Sequence, residues 1–496
     1  MQVANDGTIG MGPFVAGTWF PPGTGLAILF DAGLWVAAEV RGELRVAVSE
    51  YESEYGPGVI AAPGAWADPG DPRFKVYKVV PWTGDPGDTA ARIVVPTEVG
   101  PEPVDPVIHD SWSRYLNGAA PFGAPVRTWR LPNTTTPDPL DSVDVAGPDV
   151  PGTQLLWSVY NDADPARHKN ISGGTTPLGI EVRQMVWTLA GDVPLQNSIF
   201  MRWTITNRSA DTLSALRAGV WSDPDLGASY DDMVGCDSSR ALAFAYNATD
   251  HDAVYGNRPP ALGFDLLAGI PGSYGAAGFA AFRRTIGGAE PVTPQQTLDD
   301  LSGLDRDGTP LVNAWNGAPT TYEDSGDPLT HSGWLDPAAT DKHMLIGTGP
   351  GTLAPGDSVV ITAVLMAARC SSALLSLQAL ETNDDAVQAV WDGTPPGGFI
   401  DCPEPVPPAP PGLALAGFGA NPARGELVID LTLGADAPAR IDVLDVTGRR
   451  VWSRALPTPV AGHQWIPLDR SLPPAVYFLR LTQGTQHIST RAVVLR

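Results

Sequence analysis

A chain of 496 residues is longer than a single hydrophobic core usually supports, so we expect several domains. Its hydrophobic content of 43% excludes a globally disordered protein, and its formal net charge of −24 at pH 7 argues against nucleic-acid binding, because phosphate backbones are also negative. The 54 Gly and 50 Pro residues interrupt many short apolar runs, which predicts an all-β fold of short strands joined by turns.

Residues 1–100 are predicted to form an amino-terminal β region. Short apolar runs occupy residues 26–30 and 33–37, and residues 45–49 alternate between apolar and polar side chains, as expected of a strand. Residues 1–10 lack the pattern of a signal peptide, so we expect that a secreted protein of this sequence has already lost its signal. No apolar run reaches the roughly 18 residues of a transmembrane helix, so no transmembrane segment is predicted.

Residues 101–401 are predicted to form a large β-sandwich region. Strand-like runs cover residues 154–160, 179–187 and 198–206. In the last of these, large apolar side chains alternate with polar ones, a pattern typical of antiparallel sheet. We expect these strands to form one face of the sandwich.

One short helix is predicted near residues 371–391. Apolar side chains recur there at helical spacing, and Ser371 or Ser372 is suited to cap its start. Asp384 falls on the same apolar face, which is unfavourable to a buried helix. Cys370 and Cys402 flank the segment and would pair in an oxidising compartment, leaving Cys236 buried and free. The sequence leaves open whether the two cysteines pair.

A stiff linker and a separate carboxy-terminal domain follow. Residues 402–412 are rich in Pro and mark the clearest domain boundary. Within residues 413–496, the segment 426–433 alternates cleanly, with Leu427, Ile429, Leu431 and Leu433 predicted to face inward. About seven short strands are expected there, which is the size of an immunoglobulin-like sandwich.

Three motifs occur in order within this domain: Asn421-Pro422, VLDVTGR at 443–449 and AVYFLRL at 475–481, before a basic terminus at Arg496. With them, residues 413–496 resemble the carboxy-terminal sorting domain of type IX secretion cargo, and they are also similar to the immunoglobulin-like repeat of flagellar hook-capping proteins. The resemblance implies export across an outer membrane by the secretion machinery and attachment to a cell-surface glycolipid. The family usually has Pro before Asn-Pro, whereas Ala420 stands here.

The preceding part of the chain resembles an uncharacterised large domain of secreted bacterial proteins that carry such tails. The motifs that carry this resemblance are NDG at 5–7, AGLWV at 32–36, YND at 160–162 with His168, DPDLG at 223–227, DD at 231–232, GCD at 235–237, YN at 246–247 and GWLD at 333–336. The resemblance implies an extracellular or outer-surface protein and adds no reaction.

The densest group of carboxylates lies between residues 223 and 237 and consists of Asp223, Asp225, Asp231, Asp232 and Asp237. Ca²⁺ binds about six to eight oxygens, which flexible Asp-rich loops supply, so calcium is the predicted cofactor. A solvated acidic turn explains the pattern equally well, and a catalytic role is the least favoured reading. A second polar cluster, Asn161, Asp162, Asp164 and His168, is either a ligand site or a turn.

No motif for nucleophilic or zinc-dependent catalysis is present, so the sequence favours a protein without enzymatic activity. Tryptophans in strand-like runs either stack on sugars or fill the core, and the core is favoured for Trp35, Trp112, Trp157, Trp187, Trp203 and Trp221. The resulting hypothesis is a secreted structural or adhesive surface protein, calcium-stabilised and self-assembling. The alternative is an extracellular carbohydrate-binding protein or hydrolase.

Overall fold

The computed structural model describes residues 1–10, 17–81, 106–120, 123–132, 142–170, 172–395, 397–400, 402, 413–418, 423, 427–435, 437–457, 462–468 and 470–495. The chain divides into two compact units, Met1–Cys402 and Pro403–Arg496. Both units are built from antiparallel sheets, which confirms the predicted all-β fold class. No described helix is both long enough and apolar enough to cross a membrane.

The larger unit begins with short strands and one helix. In chain order, its first elements are β1 (Thr18–Trp19), β2 (Ala27–Leu29), β3 (Asp31–Val40), β4 (Glu43–Ala47), β5 (Gly56–Pro57), β6 (Ile60–Ala62), β7 (Ala65–Trp66), β8 (Tyr77–Val79), α1 (Pro106–Leu116), β9 (Val126–Pro132) and β10 (Ser142–Pro148). Next come β11 (Gln154–Asn161), β12 (Ile180–Thr188), α2 (Val193–Gln196), β13 (Ser198–Asn207), β14 (Leu213–Asp223), β15 (Asp232–Asp237), β16 (Leu242–Asn247) and β17 (Ala261–Ala268). The last are β18 (Phe279–Ile286), α3 (Pro294–Leu301), β19 (Leu311–Val312), β20 (Pro319–Thr320), β21 (Lys342–Leu353), β22 (Ser358–Ala368) and α4 (Ala373–Trp391).

Two large sheets organise this unit. One has the order β15-β16-β17-β22-β13-β12-β11-β5, with β8 also paired to β11, and the other has the order β18-β21-β14-β3-β4. A single buried core draws side chains from both sheets, including Val36 of β3, Val220 of β14 and Trp203 of β13. Because β3 pairs with β14, the segments predicted as 1–100 and 101–401 share one sheet. Two-stranded sheets, β1-β2, β6-β7, β9-β10 and β19-β20, complete the described topology.

The predicted helix near 371–391 is α4, and the hydroxyl of Ser372 caps it by accepting the Leu375 amide. Leu377, Leu380 and Val387 pack on the large sheet in a second core that also includes Trp157. The backbones approach closely, since a Cβ on Gly263 would lie 3.1 Å from the Leu380 side chain. The helices α1, α2 and α3 were not predicted, so the prediction of one helix was too low.

The smaller unit contains β23 (Ala414–Phe418), β24 (Val428–Leu433), β25 (Ala439–Leu444), β26 (Arg450–Leu456), β27 (Gly462–Pro467), β28 (Ala475–Gln483) and β29 (Gln486–Val494). They form two sheets, β23-β24-β27 and β26-β25-β28-β29. The side chains of Leu427, Ile429, Leu431 and Leu433 are buried as predicted. The linker residues 403–412, Ala420, Asn421-Pro422 and Arg496 lie outside the described residues.

A disulfide joins Cys370 to Cys402, with a Cα–Cα distance of 5.0 Å, which is within the normal range for such bonds. It ties the start of α4 to the end of the larger unit, and it settles the alternative that the sequence left open. Cys236 on β15 is buried and free. Its thiol donates to the carbonyl oxygen of Glu323 at 3.4 Å.

A pair of buried carboxyl groups lies where α4 packs on β17. Asp265 and Asp384 are 0% and 1% exposed, and their carboxyl groups hydrogen-bond each other. No other donor in the described part of the chain reaches either oxygen of Asp265 or Oδ1 of Asp384. Burial and then the charge of Asp384 raise the pKa of Asp265 well above its usual range, and burial and then Asp385 raise the pKa of Asp384 to about 8. The pair therefore shares a proton at neutral pH.

Loss of the disulfide is expected to destabilise the larger unit. Replacing Cys370 and Cys402 together with Ser should lower the free energy of unfolding by about 3 to 4 kcal/mol, because the bond closes a loop with a sequence separation of 32. Denaturant unfolding measures this loss. Adding a reductant should weaken the wild type by a similar amount and leave the double variant unchanged; an unaffected wild type would contradict the assignment.

The carboxyl pair is expected to make stability fall as pH rises. The folded chain keeps a proton that the unfolded chain releases above about pH 4, so the free energy of unfolding should decline between about pH 4 and 8. Asp265→Asn gives Asp384 a permanent hydrogen-bond donor. The free energy of unfolding should then decline less steeply with pH, by up to the contribution of one bound proton. The charges of Asp385, Asp392, Asp237 and Arg240 act on the pair and remain in place in the variants.

Chemical denaturation of the wild type and of Asp265→Asn at several pH values checks this expectation. Asp384→Asn should act in the same way, because either amide can replace the shared proton. Asp192→Asn is the matched control, since Asp192 is exposed and caps no backbone amide with its side chain. Equal slopes in all four proteins would refute the shared proton.

Candidate metal centre

The site lies at one end of the five-stranded sheet, where β14 ends and β21 begins. Ser222 of β14 pairs with Met344 of β21, so the next residue, Asp223, comes beside Asp341 and His343. On the other side of β14, Asp223 pairs with Asp31 at the start of β3. Antiparallel pairing thus brings carboxylates from remote parts of the chain to a single edge.

Asp223, Asp341 and His343 each offer one ligand atom, and these atoms lie within 4.8 Å of one another. Nε2 of His343 is 3.6 Å from Oδ1 of Asp223 and 3.9 Å from Oδ1 of Asp341. On the far side of the ring, Oε1 of Glu290 lies 3.2 Å from Nδ1 of His343. The imidazole is therefore surrounded by carboxylates on both of its nitrogens.

Tyr51, in the loop after β4, bridges two of these groups. Its hydroxyl donates to Oδ2 of Asp223 at 2.9 Å and lies 3.0 Å from Nε2 of His343. The ring of Tyr51 packs edge-on against Trp221, which stacks in turn on Trp35. The aromatic side chains hold the phenol in place beneath the cluster.

The electrostatic balance of the site is negative. Asp223 is 5% exposed, and no donor in the described residues reaches its Oδ1. Burial and then Asp225 raise the pKa of Asp223 to about 8, and burial and then Asp341 raise the pKa of Asp225 to about 6. Burial also lowers the pKa of His343, which opposes a compensating positive charge on the ring. A bound cation would relieve this repulsion.

A cavity of about 410 Å³ opens beside the cluster. Asp341 and His343 line it together with Glu50, Glu52 and Glu290, and Lys169 lies at the same wall. Burial raises the pKa of Glu50 to about 7, although a hydrogen bond from Ser172 opposes the shift. The cavity therefore brings three glutamates to the edge of the cluster.

The five aspartates predicted from the sequence do not form one ligand set. Asp223 belongs to the cluster and Asp225 lies close enough to perturb it. Asp231 accepts the Asn247 side chain, and Asp232 accepts the Leu226 amide. Asp237 accepts from Ser239 and forms an ion pair with Arg240.

Asp341 and His343 were not predicted from the sequence, because only the register of β14 with β21 brings them to Asp223.

The second polar cluster has a structural role. Asp162 accepts the Leu178 and Ile180 amides at 2.6 and 2.7 Å, and His168 contacts the Asp162 carbonyl oxygen. The prediction that these tryptophans fill the core is confirmed for Trp35, Trp157, Trp187, Trp203 and Trp221 on strands, and for Trp112, which lies on helix α1.

Comparisons with known proteins give little similarity. No family model matches the chain, and no curated protein matches it. A solved polysaccharide lyase is 8% identical, with a TM-score of 0.22; the match covers 89% of this chain and 46% of the lyase, so the chain spans about half of that protein. The adhesin domain of Epf from Streptococcus pyogenes is 9% identical, with a TM-score of 0.13 and coverage of 63% and 87%. Neither likeness supports a conclusion about fold or function.

Proposed function

We propose that the protein is an extracellular surface protein with a structural or adhesive role, whose larger unit is stabilised by a divalent cation bound at Asp223, Asp341 and His343. One observation carries the proposal: a buried carboxylate oxygen of Asp223 has no hydrogen-bond donor among the described residues and faces a second carboxylate and an imidazole. Calcium, predicted from the acidic loop, is one candidate ion.

The cation follows from the cost of the cluster without it. Burying a charged carboxylate without a partner is expensive, and Asp225 and Asp341 add like-charge repulsion, so without an ion Asp223 keeps a proton at neutral pH, in line with its pKa of about 8. A bound divalent ion would displace that proton. The described contacts of Asp223 supply one phenol hydroxyl at Oδ2 and no cationic side chain other than the imidazole. A divalent ion would neutralise the cluster and join segments from β14, β21 and the loop after β4.

The extracellular assignment has separate support. The disulfide Cys370–Cys402 is of a kind that persists in oxidising compartments. The smaller unit has seven described strands in two sheets, in keeping with the sorting-domain resemblance of residues 413–496. Export, glycolipid attachment and self-association are proposals that rest on that resemblance and on the acidic surface.

Cation binding should raise the melting temperature of the purified full chain, and chelation should lower it, because a ligand of the folded state stabilises that state. Asp223→Asn should abolish the response. Asp237→Asn should keep the response to the cation, because Asp237 belongs to the same acidic segment, residues 223–237, but is paired with Arg240. Differential scanning fluorimetry with EDTA and then with added Ca²⁺, Mn²⁺ or Zn²⁺ measures the shift.

Light scattering of the same samples tests the structural role. Large species that form only with the cation would support assembly at the surface. If neither the melting temperature nor the molar mass changes with chelator or with cation, the proposed cation-stabilised function is wrong.

A second candidate, acid–base chemistry on a carbohydrate, is favoured by Glu50. At a pKa of about 7, this buried carboxyl can donate or accept a proton at neutral pH beside the cavity. Against it, Trp35 and Trp221 are 1% and 2% exposed and present no face on which a sugar ring could stack. The structural role therefore stands ahead.

Screening acidic and neutral polysaccharides for chain cleavage tests the second candidate. If cleavage occurs, Glu50→Gln should reduce it at least about 100-fold, since general acid–base groups contribute roughly 10²–10⁴ to rate. Glu52→Gln is the matched control, because Glu52 lines the same cavity. Equal cleavage by both variants would exclude Glu50 as the acid or base.

A further inference from the structure

We propose that the cation centre selects a borderline transition-metal ion such as Zn²⁺ rather than calcium, with Asp223, Asp341 and His343 as its protein ligands. The inference rests on the proposed cation-binding function and names the chemical class of its ion. It replaces the oxygen-only site predicted from the acidic loop with a mixed oxygen and nitrogen site.

The donor set is the first argument. Calcium takes about six to eight oxygen ligands, whereas imidazole nitrogen suits zinc and other transition metals. His343 is 2% exposed, and its Nε2 lies nearest to the two carboxylates. A calcium ion held by Asp223 and Asp341 would have this nitrogen within its coordination sphere.

The separations are the second argument. Two ligand atoms at the usual zinc distances lie roughly 3.4 Å from each other around a tetrahedral ion. The observed separations from Nε2 are 3.6 Å to Asp223 and 3.9 Å to Asp341, so these two edges need to contract by only a few tenths of an ångström, and the two carboxylates lie within 4.8 Å of each other. Asp341 is half-buried beside the cavity, which leaves the fourth position to water or to an oxygen of a ligand.

The surroundings of the imidazole are the third argument. Histidines that bind metal commonly present their other nitrogen to a carboxylate, which fixes the tautomer. Glu290 lies 3.2 Å from Nδ1 of His343, although the two atoms are not aligned for a hydrogen bond in the structure. An ion on Nε2 would leave the ring proton on Nδ1, facing Glu290. Nε2 lies 3.0 Å from the Tyr51 hydroxyl, so the ion would replace that contact, while Tyr51 keeps its bond to Oδ2 of Asp223 and acts as a positioning residue that orients Oδ1 towards the ion.

The experiment uses the full chain, stripped with chelator and then titrated with Zn²⁺, Co²⁺ or Ca²⁺. Isothermal titration gives stoichiometry and affinity, and the visible spectrum of Co²⁺ reports its coordination directly. We expect one Zn²⁺ per chain, bound more tightly than Ca²⁺, and a Co²⁺ spectrum of a low-coordinate site. Glu290→Gln should weaken Zn²⁺ binding by roughly 10- to 100-fold, as for other carboxylates behind a ligating histidine.

His343→Asn and Asp341→Asn should each abolish the Co²⁺ spectrum, so the test survives if one of them fails to fold. His251→Asn is the control, because His251 is exposed and distant in sequence. Stabilisation by Ca²⁺ that needs Asp223, without Zn²⁺ or Co²⁺ binding, would overturn this inference and leave the proposed function standing. Binding of no ion would overturn both, and Zn²⁺ binding that survives both ligand variants would place the ion elsewhere.

Discussion

The register of β14 between β3 and β21 is the constraint on which the larger unit depends. It sets Asp223 opposite Asp31 on one side and next to the start of β21 on the other. It also requires Gly219 in the middle of β14, because a Cβ there would lie 2.5 Å from the Ile346 carbonyl oxygen and 2.6 Å from the Leu301 side chain of α3. A slip of one residue would turn Val220 out of the core and separate Asp223 from His343.

The protein places many carboxyl groups in its interior, and most of them have a recognisable means of compensation. Asp336 forms a buried ion pair with Lys342 at 2.7 Å, Asp162 accepts backbone amides, and Asp265 shares a proton with Asp384. Among the described residues, Asp223 has an unpartnered Oδ1 beside other acids and an imidazole whose positive charge is disfavoured by burial, so without an ion it keeps a proton at neutral pH, in line with its pKa of about 8. A cation held by Asp223, Asp341 and His343 would replace that proton.

Local patterns predicted the fold well, and non-local pairing explains what they missed. The runs predicted as strands at residues 154–160, 179–187 and 198–206 form β11, β12 and β13, because local apolar patterning marks a strand with a buried face. In the sequence, Asp384 is unfavourable to a buried helix, yet in the structure it is buried on the apolar face of α4. It is accommodated there by the carboxyl group of Asp265, which lies 119 positions earlier in the chain. No local pattern could reveal that partner.

The acidic segment at residues 223–237 shows the same limit of local sequence patterns. Its five aspartates are close in sequence, yet Asp237 pairs with Arg240, and Oδ2 of Asp232 accepts the Leu226 amide while its Oδ1 has no partner among the described residues. Asp341 and His343, which the structure brings to Asp223, lie just before and within β21, and six strands separate β21 from β14 in the chain. A bound ion would join the ends of β14 and β21 near the loop that follows β4, so it would fasten one end of the five-stranded sheet. The disulfide fastens α4 to the end of the same unit, so the proposed ion and the disulfide would stabilise different parts of the larger unit.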